Sequence, residues 1–271
     1  MSFFKQFPKV PYDIFRNGIN QNVTDLFRSV KPVPEFIDDP SVYKFYEIKN
    51  GERPDIVSLR LYDTPNYYWT FFVVNSFLHD GLGVWPMSQE DLTEFMEKEY
   101  NGYAITTRPE IVLNSDGQVI DHRNSLAGRF EIGEIVTGVE SGASGTLTQK
   151  NIDTNQLVIQ NVANGPFIGD PTSPSNPSEI IVGQTSTDSV ATYQVYKYID
   201  APFYYYLEND PDRRPIDNGV HIKGATSTAD LAYVSNRQNI VELNDQRSKI
   251  RVIDPNYIEK FVNAYETVLN G

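Results

Sequence analysis

The chain has 271 residues, a formal net charge of −13 and no cysteine. That length can bury a sizeable core and more than one domain. The charge repels a phosphate backbone and argues against nucleic-acid binding as the main role. The absence of thiols excludes disulfides, thiolate metal sites and cysteine nucleophiles. With 39% hydrophobic and 22% charged residues, the composition fits neither a disordered tail nor a membrane span. No apolar run approaches the length of a bilayer crossing. The opening Met1-Ser2-Phe3-Phe4-Lys5 lacks the apolar stretch of a secretory signal, so folding where the chain is made is expected.

Residues 1–42 read as an extended N-terminal arm. Pro8, Pro11, Pro32, Pro34 and Pro40 punctuate it, and Tyr12, Ile14, Phe15, Leu26, Phe27 and Val30 are strung between them. Little regular structure is expected here beyond a helical turn or two over Val23 to Val30. Apolar residues in such an arm need a surface to cover, either on their own domain or on a partner.

Residues 43–125 carry the clearest local signals. Tyr43 to Ile48 alternates as a half-buried strand, and Asn50-Gly51 ends it. Pro54 opens a helix, Asp55 suits its dipole, and Ile56, Leu59 and Tyr62 are its expected buried stripe. Thr64-Pro65 starts a second helix. Trp69, Phe72, Val73 and Phe77 share one face of it, Trp69 in the core, with Asn75 near its end. Ser88 and Asp91 form a capping-box pattern for a third helix. Its stripe is Leu92, Phe95, Met96 and Tyr100, and Asn101-Gly102 stops it. Residues 103–123 then read as a β-hairpin turning near Asp116-Gly117.

Residues 126–198 are rich in Gly, Ser, Thr, Val and Ile and hold a degenerate repeat. Phe130-Glu131-Ile132-Gly133-Glu134-Ile135-Val136-Thr137-Gly138 is followed by Ser141-Gly142. Phe167-Ile168-Gly169 is followed, after an insertion, by Glu179-Ile180-Ile181-Val182-Gly183-Gln184-Thr185-Ser186. Short strands broken by Gly and Ser predict an inserted all-β module, a barrel or a sandwich. Residues 199–271 form a C-terminal segment. It holds an aromatic run, Phe203 to Tyr206, and a loop at Asn209 to Arg214. A weakly patterned, helix-compatible stretch over 228–245 and a short strand over Arg247 to Ile253 follow. The segment ends in an amphipathic helix capped by Asp254, with Ile258, Phe261, Val262, Tyr265 and Leu269 on one face.

Motifs for chemistry are missing. His79, His122 and His221 are far apart and lack the spacing that brings two imidazoles to one helix face. There is no G-x-S-x-G elbow and no Gly-rich phosphate loop. The acidic pairs, among them Asp38-Asp39, Glu90-Asp91 and Glu97 with Glu99, read as solvated faces more readily than as a glycosidase pair. No catalytic residue, metal ligand or cofactor-binding residue is assigned.

The order of strand, Gly-Glu-x-Pro turn, helix, Thr-Pro, helix and Asn is that of a LysM module. It is carried by Tyr46 to Pro54, Ile56 to Tyr62 and Trp69 to Asn75. A wider match covers Arg53-Pro54-Asp55, Leu61 to Trp69, Asn75, and Gly83-Val84-Trp85-Pro86-Met87-Ser88-Gln89-Glu90. With Glu242 to Ile253 and the helix after it, this resembles the baseplate wedge proteins of T-even-like contractile-tailed phages, the family of the type phage's fifty-third gene product. The resemblance spans roughly residues 10 to 105 and 195 to 270 and leaves out the β-module.

The resemblance implies a LysM-like βααβ module with peripheral helices; with the inserted small all-β module read from residues 126–198, the expected fold class is α+β. It implies a non-enzymatic virion protein of the tail baseplate, assembled in the host cytoplasm. Such a protein joins wedge core proteins and neighbouring wedges into the ring around the tail hub. Partners would resemble gene products six, seven and twenty-five of the type phage, together with copies of this chain in adjacent wedges, with no nucleic acid and no membrane. Trp85, Tyr204, Tyr205 and Tyr206 stand in loop-like contexts and are the expected partner contacts, with internal packing as the competing reading. A LysM-type protein binding glycan, such as peptidoglycan, is the alternative function.

Overall fold

The computed structural model describes residues 7–25, 36, 40–107, 110–113, 119–123, 126–170, 172–175, 178–208, 212 and 231–270. The chain begins with strands β1 (Lys9–Tyr12), β2 (Gln21–Thr24) and β3 (Tyr43–Glu47). Helices α1 (Pro54–Tyr62), α2 (Trp69–Val74) and α3 (Gln89–Glu99) follow. Then come β4 (Tyr103–Thr107), β5 (Glu110–Leu113), β6 (Val119–Arg123), β7 (Ile135–Gly138), β8 (Ser144–Asn151) and β9 (Gln156–Ala163). The remainder is β10 (Ile180–Gly183), β11 (Ser189–Lys197), β12 (Pro202–Leu207), β13 (Leu231–Ser235), α4 (Asn236–Ser248), β14 (Lys249–Ile253) and α5 (Ile258–Asn270). Contacts divide it into two compact units, Met1–Leu92 with Glu242–Gly271, and Thr93–Val241. Helix and strand are mixed, as expected. The unit boundaries differ from the four segments read from the sequence.

In the first unit, β3 pairs antiparallel with β14, so Tyr43 faces Ile253 and Glu47 faces Lys249. Two residues almost at opposite ends of the chain thus share one small sheet. Pro54 opens α1 at its first turn, where a missing N–H costs nothing, and Thr64 caps the short 3-10 turn Pro65–Tyr67. Helix α1 buries Val57 and Ser58, while Ile56 and Leu59 stay exposed, at 45% and 46%. Of the expected stripe, only Tyr62 packs against the core, its hydroxyl donating to the Ile253 carbonyl at 2.9 Å. Apolar residues occur nearly all round this helix, and the sheet beneath selects the Val57 side through Ile48, Ile250 and Val252. Helix α2 is also shorter than predicted. It ends at Val74, buries Trp69, Thr70 and Phe71, and leaves Phe77 exposed beyond it.

Helix α5 buries the five residues predicted for it, Ile258, Phe261, Val262, Tyr265 and Leu269. Its stripe packs on its own chain. Trp69 lies with its ring centre 4.9 Å from Tyr265 and 6.4 Å from Phe261, and Phe36 meets Phe261 edge-on at 5.4 Å. Asp254 forms a turn ahead of this helix, accepting from the Asn256 N–H at 2.9 Å. Helix α3 starts as the capping box requires, with the Asp91 N–H donating to Ser88 Oγ at 3.1 Å.

In the second unit, six antiparallel strands close into a barrel in the order β10-β11-β4-β9-β8-β7. The inserted module is thus a barrel and not a sandwich. It also reaches back before residue 126, because β4 is taken up between β11 and β9. The predicted hairpin survives only as β5 with β6, and the Asp116-Gly117 turn lies outside the described residues. The barrel interior is filled by Ile105, Leu147, Leu157, Ile159, Ile181 and their neighbours, so it has a packed core. Phe130 enters this core at a φ of 55°, which bulky residues rarely adopt. Its N–H donates to Asp188 Oδ2 at 2.7 Å, and Lys150 Nζ donates to its carbonyl at 2.8 Å.

The degenerate repeat gains a physical meaning here. Glu134, Gly138 and Ser141 in one copy match Glu179, Gly183 and Ser186 in the other at identical spacing. Strands β7 and β10 pair antiparallel about a local pseudo-twofold, with Gly138 opposite Ile181 and Val136 opposite Gly183. Each glutamate reaches across to hold the other copy's serine turn. Glu134 accepts from the Ser186 and Thr185 N–H groups, both at 3.0 Å, and from the Ser186 hydroxyl. Glu179 accepts from the Ser141 N–H at 3.0 Å, the Ser141 hydroxyl, and the Ile168 N–H at 2.5 Å. A Cβ at Gly183 would lie 2.6 Å from the Glu134 carboxylate, and one at Gly138 would collide with Glu179. Both glycines are bare because a carboxylate lies against them.

Candidate interaction surfaces

The N-terminal arm is more ordered than its prolines imply. β1 pairs with β2 as a hairpin, Lys9 opposite Thr24 and Tyr12 opposite Gln21. The predicted helical turn is absent from Val23 and Thr24, which lie in β2; residues 26–35 lie outside the described residues. Asp13 organises the connecting loop, its carboxylate accepting from the Asn17 N–H at 3.0 Å and the Gly18 N–H at 2.6 Å. Arg16 and Gly18 take positive φ there, 52° and 81°. Around this loop Tyr12, Ile14, Phe15 and Ile19 are 61%, 48%, 71% and 65% exposed. Four large apolar side chains are thus exposed on one tied loop, which makes it a candidate interaction surface.

The residues expected to touch partners lie elsewhere. Trp85 is buried, contrary to the loop-like reading. Its indole N–H donates to the Glu52 carbonyl at 2.8 Å, and its ring sits 5.8 Å from Phe72 and 6.2 Å from Phe71. It closes the first unit's core. Tyr204, Tyr205 and Tyr206 are not in a loop but in β12, paired with Val234, Tyr233 and Ala232 of β13. Strand alternation buries Tyr205 and leaves Tyr204 and Tyr206 half-buried. Burial, and then the nearby Tyr196, push the Tyr205 phenol far above its ordinary range, so it stays neutral. Trp85 belongs to the first unit and the three tyrosines to the second.

Two polar clusters hold the first unit in shape. Asn75 is buried and ties α2 to β14. Its side-chain amide donates to Phe71 O at 2.8 Å and Arg251 O at 2.9 Å, and its oxygen accepts from the Arg251 N–H at 2.8 Å. Glu52 accepts from the Tyr46 hydroxyl at 2.8 Å and the Lys49 N–H at 3.1 Å, and pairs with Arg60. Sequence reading placed Asn75 near a helix end but missed its role, because its partner Arg251 is 176 positions away. The exposed Phe45, at 83%, stands on the outer face of the β3–β14 pair.

Among the described residues no group of three His, Cys, Asp or Glu could hold a metal ion, and no helix is long and apolar enough to cross a membrane. His79 is exposed, while the His122 side chain and all of His221 lie outside the described residues. No protein-family model and no curated protein matches the sequence.

Glu134 sets a pH dependence in the barrel. Burial pushes the Glu134 carboxyl up, but the N–H groups of Ser186, Glu131 and Thr185 and the Ser186 hydroxyl outweigh it and hold it below its ordinary value. A carboxylate lowered on folding stabilises the fold above its unfolded pKa, roughly 4.3. That stabilisation is lost as pH falls through the lower folded value. Barrel melting temperature is therefore expected to stay level from neutral pH to about 5 and to fall below about 4. In Glu134→Gln the acid-side fall is expected to be shallower, measured by calorimetry from pH 7 to 3. An unchanged acid slope in the variant would refute the assignment to Glu134.

Proposed function

We propose that this protein is a structural subunit of a contractile phage tail baseplate wedge, working by simultaneous contact with several neighbours. The observation that carries the reading is the tied hairpin loop with Tyr12, Ile14, Phe15 and Ile19 exposed. Exposed anchors held in one conformation lose little freedom when a partner covers them. A second observation supports the LysM-like part of the reading. Strand β3, helices α1 and α2, and β14 lie in βααβ order around one core. This unit is built from Met1–Leu92 and Glu242–Gly271, which include most of the residues that carry the resemblance.

Co-purification of the full chain with the other tail proteins of its parent phage tests the reading. Ile14→Ser with Phe15→Ser is expected to weaken wedge association by about tenfold or more. Circular dichroism should stay unchanged, since both side chains are exposed. Retention on peptidoglycan with no tail-protein association would instead favour the LysM glycan-binding reading and defeat the proposal.

A further inference from the structure

The second unit carries a cleft that the tail reading does not use. It is a shallow, open cleft of about 320 Å³ between the last turn of α3 and the outer face of β8 and β9. Phe95, Tyr100 and Tyr198 supply its aromatic wall. The two tyrosine rings lie 5.0 Å apart at 34°, and Phe95 meets Tyr100 at 6.4 Å. Thr148, Gln149 and Gln160 face them, with Glu99 at the rim of the helix.

Three features fix these groups in place. The β8–β9 register shifts between Leu147 and Gln149, and consecutive residues Thr148 and Gln149 are both exposed. In a regular strand one of the two would point inward, so this bulge aims both at the cleft. Gly102 lets the chain leave α3 close against β9, since any Cβ there would collide with the Ile159 carbonyl. Tyr198 is pinned at both ends: its N–H donates to Gly102 O at 2.9 Å, and its hydroxyl donates to Gln149 Oε1 at 3.0 Å. The Asn236 side chain donates to its carbonyl at 2.7 Å.

We infer that this cleft binds a neutral saccharide of one or two rings. Pyranose C–H faces are apolar and stack on aromatic rings, while their hydroxyls need paired donors and acceptors, which amides, a hydroxyl and a carboxylate provide. Ligand pockets run from roughly 300 to 1,000 Å³, and this cleft is at the small end. None of the described lining residues is basic and Glu99 is acidic, so phosphates and acidic sugars are disfavoured. Burial pushes the Tyr100 and Tyr198 phenols up, keeping both as neutral hydrogen-bonding groups.

The test is calorimetric titration of the full chain with cellobiose, lactose and N,N′-diacetylchitobiose, with sialyllactose as the acidic comparison. At least one neutral disaccharide is expected to saturate in the range of about 1 mM, more tightly than sialyllactose. Tyr198→Ala and Gln160→Ala are each expected to weaken it about tenfold. Gln160 is half-buried on the barrel's outer face, so melting of that variant should match the parent and show that the fold is intact. Absence of saturation by all three neutral sugars overturns the proposal. So does binding unchanged in both variants, which would place the sugar elsewhere, or binding of a proline-rich decapeptide that the sugars fail to displace.

Discussion

Glu179→Ala is expected to destabilise the barrel by about 3 kcal/mol or more. Glu179 is only 2% exposed. Its removal leaves the Ser141 N–H, the Ser141 hydroxyl and the Ile168 N–H without their acceptor. Each donor left unpaired in such a part-buried site costs about 1 kcal/mol or more. For a unit of this size the barrel transition should fall by roughly 6 to 12 °C in calorimetry.

Glu179→Gln separates shape from charge. The amide fills the same space, but both carboxylate oxygens accept in the native barrel. Whichever way the amide turns, its NH₂ faces a donor. The glutamine variant is therefore expected to lose most of what the alanine variant loses. Parent-like melting of Glu179→Gln would mean that the carboxylate is not what holds the Ser141 turn. The pseudo-twofold adds a check, since Glu134→Ala should act at the Ser186 turn with a similar size and direction.

Trp69→Ala is the second large effect, expected at about 3 to 5 kcal/mol in the first unit. The indole is 4% exposed and packs against Phe261 and Tyr265. Truncation leaves a cavity that α2, a helix of only six residues, cannot collapse to fill. Helix α5 loses its main aromatic neighbour, so its amides should exchange hydrogen faster. Amides of β8 and β9, in the other unit, should keep their protection. Unchanged exchange in α5 would show that its apolar stripe is held by something other than Trp69.

Barrel formation also explains why the inserted module escaped a correct boundary. Residues 126–198 announce short strands through their Gly and Ser breaks. Nothing local distinguishes Tyr103 to Thr107 as a barrel strand from the same residues as half of a hairpin. The choice is made by partners at a distance, Val195 on one side of Ile105 and Leu157 on the other. Of the expected contact residues, Trp85 was misread because a loop position says where the backbone runs, not where an indole points. Tyr205 was misread because three tyrosines in a row hide the alternation that a strand imposes. The Tyr12 to Ile19 loop was legible as apolar residues in an arm, but its Asp13 tether was not.

Features that depend on neighbours within a few residues were legible in the chain before folding was considered. Helix α5 and its stripe, the Ser88 cap, the Pro54 start, the Thr64 cap and the β character of 126–198 follow from periodicity, capping and φ preference. Features that depend on partners far along the chain emerge with the folded molecule. The pairing of β3 with β14, the face α1 buries, the Asn75 tie to Arg251 and the crossed hold of Glu134 and Glu179 are of this kind. The physical reason is that a local pattern shows which residues can be buried. The surface that buries them is chosen by long-range closure, which no short window contains.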